Sequence, residues 1–210
     1  MNGSRFESPH YDSHMPDTER TALKEWAILV DAMARGDIVA MVRKGGIREQ
    51  RAGFQVRHDR FLLYPTYFHE KAAELAPRFL GGLEAAHARR PAEGRLRVEY
   101  VARVAAVWAV GDLARLPAIA GEHGLAPSAV ESRFHYKNRP GVQVVAVRLA
   151  RLPEAVEVPE QRRYAGCVSW VVLDEAVNVG GAAPVIPEPA FARRLAALRD
   201  ALGEPAAATD

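Results

Sequence analysis

Between Arg43 and Arg60 the chain carries six cationic side chains, Arg43, Lys44, Arg48, Arg51, Arg57 and Arg60, opposed only by Glu49 and Asp59. Gly45 and Gly46 interrupt the same stretch. Guanidinium forks match phosphate oxygens and a glycine turn exposes backbone amides, so this pattern suits phosphate binding. A solvated charged loop is the plain alternative. Lys44-Gly45-Gly46 lacks the spacing of a Walker or dinucleotide glycine fingerprint. Just downstream, His58, Tyr64, Tyr67, His69 and Glu70 surround Tyr64-Pro65-Thr66-Tyr67. His58 or His69 could serve as a general base, while aromatic rings beside cations are also how single-stranded nucleic acid is held. A histidine and a glutamate at the head of a helix can equally be capping, solvated groups.

A second basic and aromatic cluster, Arg133, His135, Tyr136, Lys137 and Arg139, precedes an apolar run that begins at Gly141. Arg133, Lys137 and Arg139 would extend the same binding face if the fold brings the clusters together; otherwise they belong to an exposed loop. No metal is expected, because His58 and His69 have no third ligand at motif spacing and the chain has one cysteine, Cys167. Cys167, Ser169 and Trp170 read as core packing rather than as a nucleophile. Paired-metal acidic clusters and a serine elbow are both missing, which leaves a hydrolase without its reagents. No cofactor is expected either.

The elements that must position these groups alternate between helix and strand. Leu23, Trp26, Ala27, Val30, Met33 and Ala34 follow helical spacing, with Asp17 or Thr21 as cap and Gly36 as stop, although the run Trp26 to Val30 could also be a buried strand. Ile38 to Val42 reads as a strand ending in Arg43. Val56 and Phe61 to Tyr64 suggest another, which Pro65 ends or places at an edge. An alanine- and leucine-rich helix follows from His69 to about His87, kinked or split by Pro77 and Gly81-Gly82. Leu96 to Val110 alternates without a miss, and its length implies a bend near Ala105 and Ala106. Asp112 to Ile119 reads as a short helix, and Ser128 to Glu131 has capping-box spacing. Gly141 to Leu152 and Tyr164 to Leu173 read as further strands. Phe191, Leu195, Leu198 and Leu202 form the stripe of a C-terminal amphipathic helix, which docks on the domain or on a partner.

The expected fold is α/β in the α+β sense, a mixed or antiparallel curved sheet with peripheral helices. Residues 1–15 are read as an expression leader or disordered segment on the strength of Ser13-His14-Met15, residues 16–180 as one domain, and residues 181–210 as connector, helix and loose tail. With 49% apolar and 26% charged residues the chain can fill a core. No stretch is long and apolar enough for a membrane helix, and a single cysteine fits a reducing cytoplasm. The net charge of +2 is too small to demonstrate a polyanion partner by itself.

Leu23 to Ala27, Arg43 to Ile47, Phe61 to Glu70 and Gly166 to Trp170 occur in the order that resembles the prokaryotic family catalogued as domain of unknown function 1802. That resemblance spans Leu23 to Asp174 and implies a nucleic-acid or defence context, through association with restriction-type modules. Trp26 to Ala34, Gly36, Ile38 to Val42 and Arg43 are also similar to the opening of the PUA-like superfamily, which includes the ASCH and EVE domains. This implies a small β-barrel and a pocket that reads a flipped or modified base. Asp37 and Met41-Val42 depart from that pattern.

Three functional expectations follow. In the first, a nucleic-acid-binding domain places Arg43, Lys44, Arg48, Arg57 and Arg60 on phosphates, with Tyr64, Tyr67 or His69 against a base. In the second, an enzyme acting on a nucleotide or modified base uses His58 or His69. In the third, the C-terminal helix supplies a surface for a protein partner or a second copy.

Overall fold

Adjacent apolar pairs within short runs, such as Ala22-Leu23 and Leu62-Leu63, require cover on both faces of a strand, because successive side chains point to opposite sides. The computed structural model, which describes residues 17–44, 56–67, 71–166 and 168–206, provides that cover. β1 (Thr18–Trp26) lies between β3 (Arg60–Thr66), to which it is parallel, and β6 (Trp170–Asn178), to which it is antiparallel. Leu23 and Leu63 face one apolar core, while Ala22 and Leu62 face a second across the sheet.

The remaining elements in chain order are α1 (Ala27–Ala34), β2 (Ala40–Arg43), α2 (Leu83–Ala88), β4 (Arg95–Val110), α3 (Pro127–His135), β5 (Val142–Pro159), β7 (Ala183–Pro184) and α4 (Glu188–Leu202). The sheet runs β2-β5-β4-β3-β1-β6, with β7 added to β5. It is the expected mixed, curved sheet with peripheral helices, and among the described residues it is not closed into a barrel. Its backbone is the long β4–β5 pair, whose register shifts between Val98 and Tyr100 and again between Val104 and Ala106. Such bulges bend a strand and increase its twist, and the second falls where Ala105 and Ala106 led a bend to be expected.

Several boundaries differ from the sequence reading. The first expected helix is half strand: residues through Trp26 belong to β1, and only Ala27–Ala34 coil. Pro65 does not end β3, which continues to Thr66, but it stands at a local edge. The β3–β4 ladder covers only Arg60 to Leu62, so Pro65 stands where that side of the strand needs no donor. The stretch after Lys71 is split as anticipated, into 3-10 turns at Ala72–Glu74 and Pro77–Gly82 followed by α2. Ser128 does not cap α3, which starts at Pro127 with no side-chain cap. Tyr164 closes a 3-10 turn, and β6 begins only at Trp170.

The apolar stripe of α4 is spent inside the chain. Phe191, Leu198 and Leu202 are buried in the larger core, and the Trp108 indole donates to the Gly203 carbonyl at 2.7 Å. Arg194 pins the other end, pairing with Glu122 at 2.6 Å and donating to the carbonyl of Asp37 at 2.9 Å. No helix of the described residues is long and apolar enough to cross a membrane.

Candidate functional site

Because β1 and β3 are parallel and in register from Ala22 opposite Leu62 to Trp26 opposite Thr66, their C-terminal ends finish side by side. This sets Lys24, Glu25 and Trp26 next to Tyr64 and the residues that follow it. The end of β2 adds Arg43 and Lys44. The last turn of α3 and Tyr136 form one wall; the start of β4 and the turn before it form another. Together they enclose a cleft of about 580 Å³, within the range of pockets that take one small ligand. Its described lining residues include seven cationic side chains and three carboxylates, with the rings of Trp26, Tyr64, Tyr67 and Tyr136 between them.

At one end, Glu25 is almost fully buried. Its carboxylate accepts the Trp26 backbone N–H at 2.9 Å and the Arg43 guanidinium at 3.0 Å. Arg43 also donates to the Lys24 carbonyl at 3.1 Å. The Arg133 guanidinium lies 5.3 Å from the Trp26 ring and donates to the Val42 carbonyl at 2.9 Å. Burial lowers its pKa from the usual arginine value, and the charge of Glu25 acts the other way. The Lys44 ammonium is committed to backbone: it donates to the carbonyls of Phe134 at 3.0 Å, of Gly141 at 2.5 Å and of Arg139. Burial, then the charge of Arg139, lowers its pKa.

At the other end, the Tyr64 hydroxyl donates to the Glu160 carboxylate. Burial first, and this hydrogen bond second, hold the phenol protonated well above its ordinary range. Lys24 lies 5.4 Å from the Tyr64 ring and donates to the carbonyls of Tyr164 and of Gly166, the latter at 3.1 Å. The Tyr67 ring has the Arg90 guanidinium 5.7 Å from its centre and the edge of His87 at 6.0 Å. Arg95 and Arg97 flank this end, paired with Glu157 at 3.7 Å and Glu99 at 2.9 Å.

Of the residues singled out in the sequence, Arg43, Lys44, Tyr64, Tyr67, Arg133, Tyr136 and Ser169 line this one cleft, which draws on both basic clusters. Arg48, Arg51, His69, Glu70 and Cys167 lie outside the described residues. The others stand elsewhere. Arg60 is taken up by Glu19 at 3.1 Å and the Thr18 carbonyl at 3.0 Å, Arg57 is exposed away from the cleft, and His58 packs edge-on to Trp170 at 5.2 Å. Lys137 and Arg139 are exposed beyond the cleft's lining, Lys137 with its ammonium 5.4 Å from the Tyr136 ring. No group of metal-ligating side chains occurs among the described residues.

The sequence reading missed Lys24, Glu25, Arg90, Arg95, Arg97 and Glu160. Arg95 and Arg97 were visible as the polar face of an alternating strand, but nothing in that pattern says which face borders a cleft. Lys24 and Glu25 were hidden by the helical reading of their segment.

The family model described as a domain of unknown function (DUF1802) matches residues 22–197. No curated protein matches the chain. Among solved structures, the chain is similar to a crystal structure of a serine-to-alanine variant of ZmASCH from Zymomonas mobilis. The identity is 14% and the TM-score 0.39, covering 70% of this chain and 92% of that one.

Proposed function

This chain belongs to the family of the domain of unknown function 1802, and we propose that its cleft binds single-stranded nucleic acid, with one unpaired base inside and flanking phosphates at the rim. The observation that carries this reading is the mixture in a single enclosure: guanidinium groups in excess over carboxylates, interleaved with aromatic rings. Tyr67 and Tyr136 offer faces on which any base can stack, and Arg43, Arg90 and Arg133 supply fixed positive charge near where phosphates would pass. A cleft closed on several sides favours an extruded or unpaired base over a duplex, whose stacked bases cannot enter it. Reading a flipped or modified base, in a cytoplasmic setting of nucleic-acid processing or defence, is the finer form of the proposal.

The test is fluorescence-anisotropy titration of labelled single-stranded and duplex DNA and RNA at about 50 and 200 mM salt, the interval over which phosphate contacts separate affinities most clearly. Single strands should bind more tightly than duplexes, and affinity should fall steeply with salt. An Arg90→Ala/Arg133→Ala variant that remains folded should lose most of it. No binding, or binding indifferent to salt and to this variant, would reject the proposal.

A further inference from the structure

Glu160 is out of place in an anion-binding cleft. It is exposed, it lines the cleft, and its backbone N–H donates to the Gly94 carbonyl at 2.8 Å, which fixes the residue against the wall that leads into β4. One carboxylate oxygen accepts the Tyr64 hydroxyl; the other accepts nothing from the described residues. Tyr64 is itself buried on β3, so its hydroxyl is a fixed donor that sets the rotamer of a carboxylate reaching into the cleft. A phosphate brought beside that carboxylate would be repelled. What an ionised carboxylate can take is hydrogen-bond donors, since it has acceptor capacity only.

Resting on the reading of the cleft as a nucleic-acid site, we infer that Glu160, oriented by Tyr64, selects guanine as the base in the cleft. Guanine presents two donors side by side on its Watson–Crick edge, the ring N1–H and the exocyclic amine. Adenine and cytosine place an acceptor nitrogen beside their amine, and uracil flanks its one N–H with two carbonyls, so each sets a lone pair against the carboxylate. A site built around a fixed polar group discriminates strongly against ligands that leave it unpaired. Tyr67, three residues beyond Tyr64 on the same segment and with Arg90 5.7 Å from its ring centre, is the platform on which such a base would lie.

The experiment uses the full chain and single-stranded RNA and DNA of one pyrimidine background with a single central guanine, adenine, cytosine, uracil or inosine. Guanine should bind about tenfold or more tightly than adenine, cytosine or uracil, a ratio set by one bidentate contact. Inosine, which keeps the ring N–H and lacks the amine, should fall between. Glu160→Gln, an exposed change that keeps an acceptor for Tyr64, should abolish the difference in affinity between guanine and the other central bases. Tyr64→Phe should weaken the preference in part, with folding checked by thermal melting. Equal affinity for all central bases, or a preference unaltered in Glu160→Gln, overturns this inference and leaves the nucleic-acid reading standing. Absence of binding to every oligonucleotide overturns both.

Discussion

The Lys44 ammonium lies 3.0 Å from the carbonyl oxygen of Phe134, near the end of α3, and the same group reaches the carbonyls of Arg139 and Gly141. It therefore clasps both ends of a turn in which Lys137 and Asn138 hold left-handed backbone at φ 56° and 52°, a conformation that persists only when its surroundings enforce it. Lys44→Met should lower stability by about 1–3 kcal/mol, the cost of leaving such acceptors without their donor. Urea denaturation measures this, and the Gly141 amide, which donates to Phe134 at 3.1 Å, should lose exchange protection. A Lys44 that served only as a phosphate contact would instead leave stability unchanged and reduce the salt slope of binding by about one.

Glu25 and Arg43 make a pair at 3.0 Å with side-chain exposures of 4% and 13%. Removing one partner strands the other charge in a poorly hydrated place, so Glu25→Gln and Arg43→Met should each cost about 3 kcal/mol. In the double variant no unpaired charge remains between them, and the introduced side-chain amide can still accept the Trp26 N–H through its oxygen. Its loss should be clearly smaller than the sum of the single losses, by at least about 1 kcal/mol in a double-mutant cycle. Strict additivity would show that the pair is solvated and the contact incidental. Arg43→Ala alone is accordingly a poor probe of binding, because it damages the cleft as well as its charge.

How far the site could be read in advance follows from the periodicities involved. β4 was legible because strand alternation has a period of two in sequence from Leu96 to Val110, although the buried side chains change core at the first register shift, Leu96 and Val98 lying in the smaller core and Tyr100, Ala102, Ala106, Trp108 and Val110 in the larger. β1 was not, because a strand covered on both faces shows no alternation, and Ala22, Leu23 and Glu25 are all buried. That misreading hid the parallel pairing with β3, and with it the neighbourhood of Glu25 and Tyr64. Among the described residues of the basic stretch, Arg43 ends β2 in the cleft while Arg60 starts β3 and pairs with Glu19, a separation that charge spacing alone does not reveal. Glu160 carries no local signal at all, since its role depends on where the end of β5 passes the end of β3.

His123 is 3% exposed, with Nδ1 accepting the Leu125 N–H at 3.2 Å. Burial, and then the charges of Arg78 and Arg133, push its pKa down to about 4 from 6.5. The unfolded chain therefore takes up a proton between about pH 6.5 and 4 while the folded chain does not, and stability falls as pH drops through that window. The loss from this residue should approach about 3 kcal/mol below pH 4, at about 1.36 kcal/mol per pKa unit. His123→Asn keeps an acceptor for Leu125 and removes the titration, so urea midpoints compared at pH 7 and pH 4.5 should converge in the variant. Equal acid sensitivity in the two proteins would place the proton uptake elsewhere.

The amphipathic stripe of α4, which by sequence docks either on the domain or on a partner, is buried in the domain. A helix that merely offered a partner surface could be cut away with the core intact. Here Phe191, Leu198 and Leu202 are each at most 5% exposed and pack against the core that holds α1 and the sheet, each contributing about 1.5–3 kcal/mol by burial alone. Their sum rivals the whole stability of an ordinary domain, about 5–15 kcal/mol, so truncation before Pro187 should unfold the chain rather than release a monomeric core. Leu198→Ala is the gentler version and should cost about 2–5 kcal/mol, as for other large-to-small changes at fully buried positions. Thermal melting followed by tryptophan fluorescence reads both, because Trp108 loses the Gly203 carbonyl when α4 departs. A truncated chain that melts cooperatively near the temperature of the full one would return α4 to the role of a partner surface.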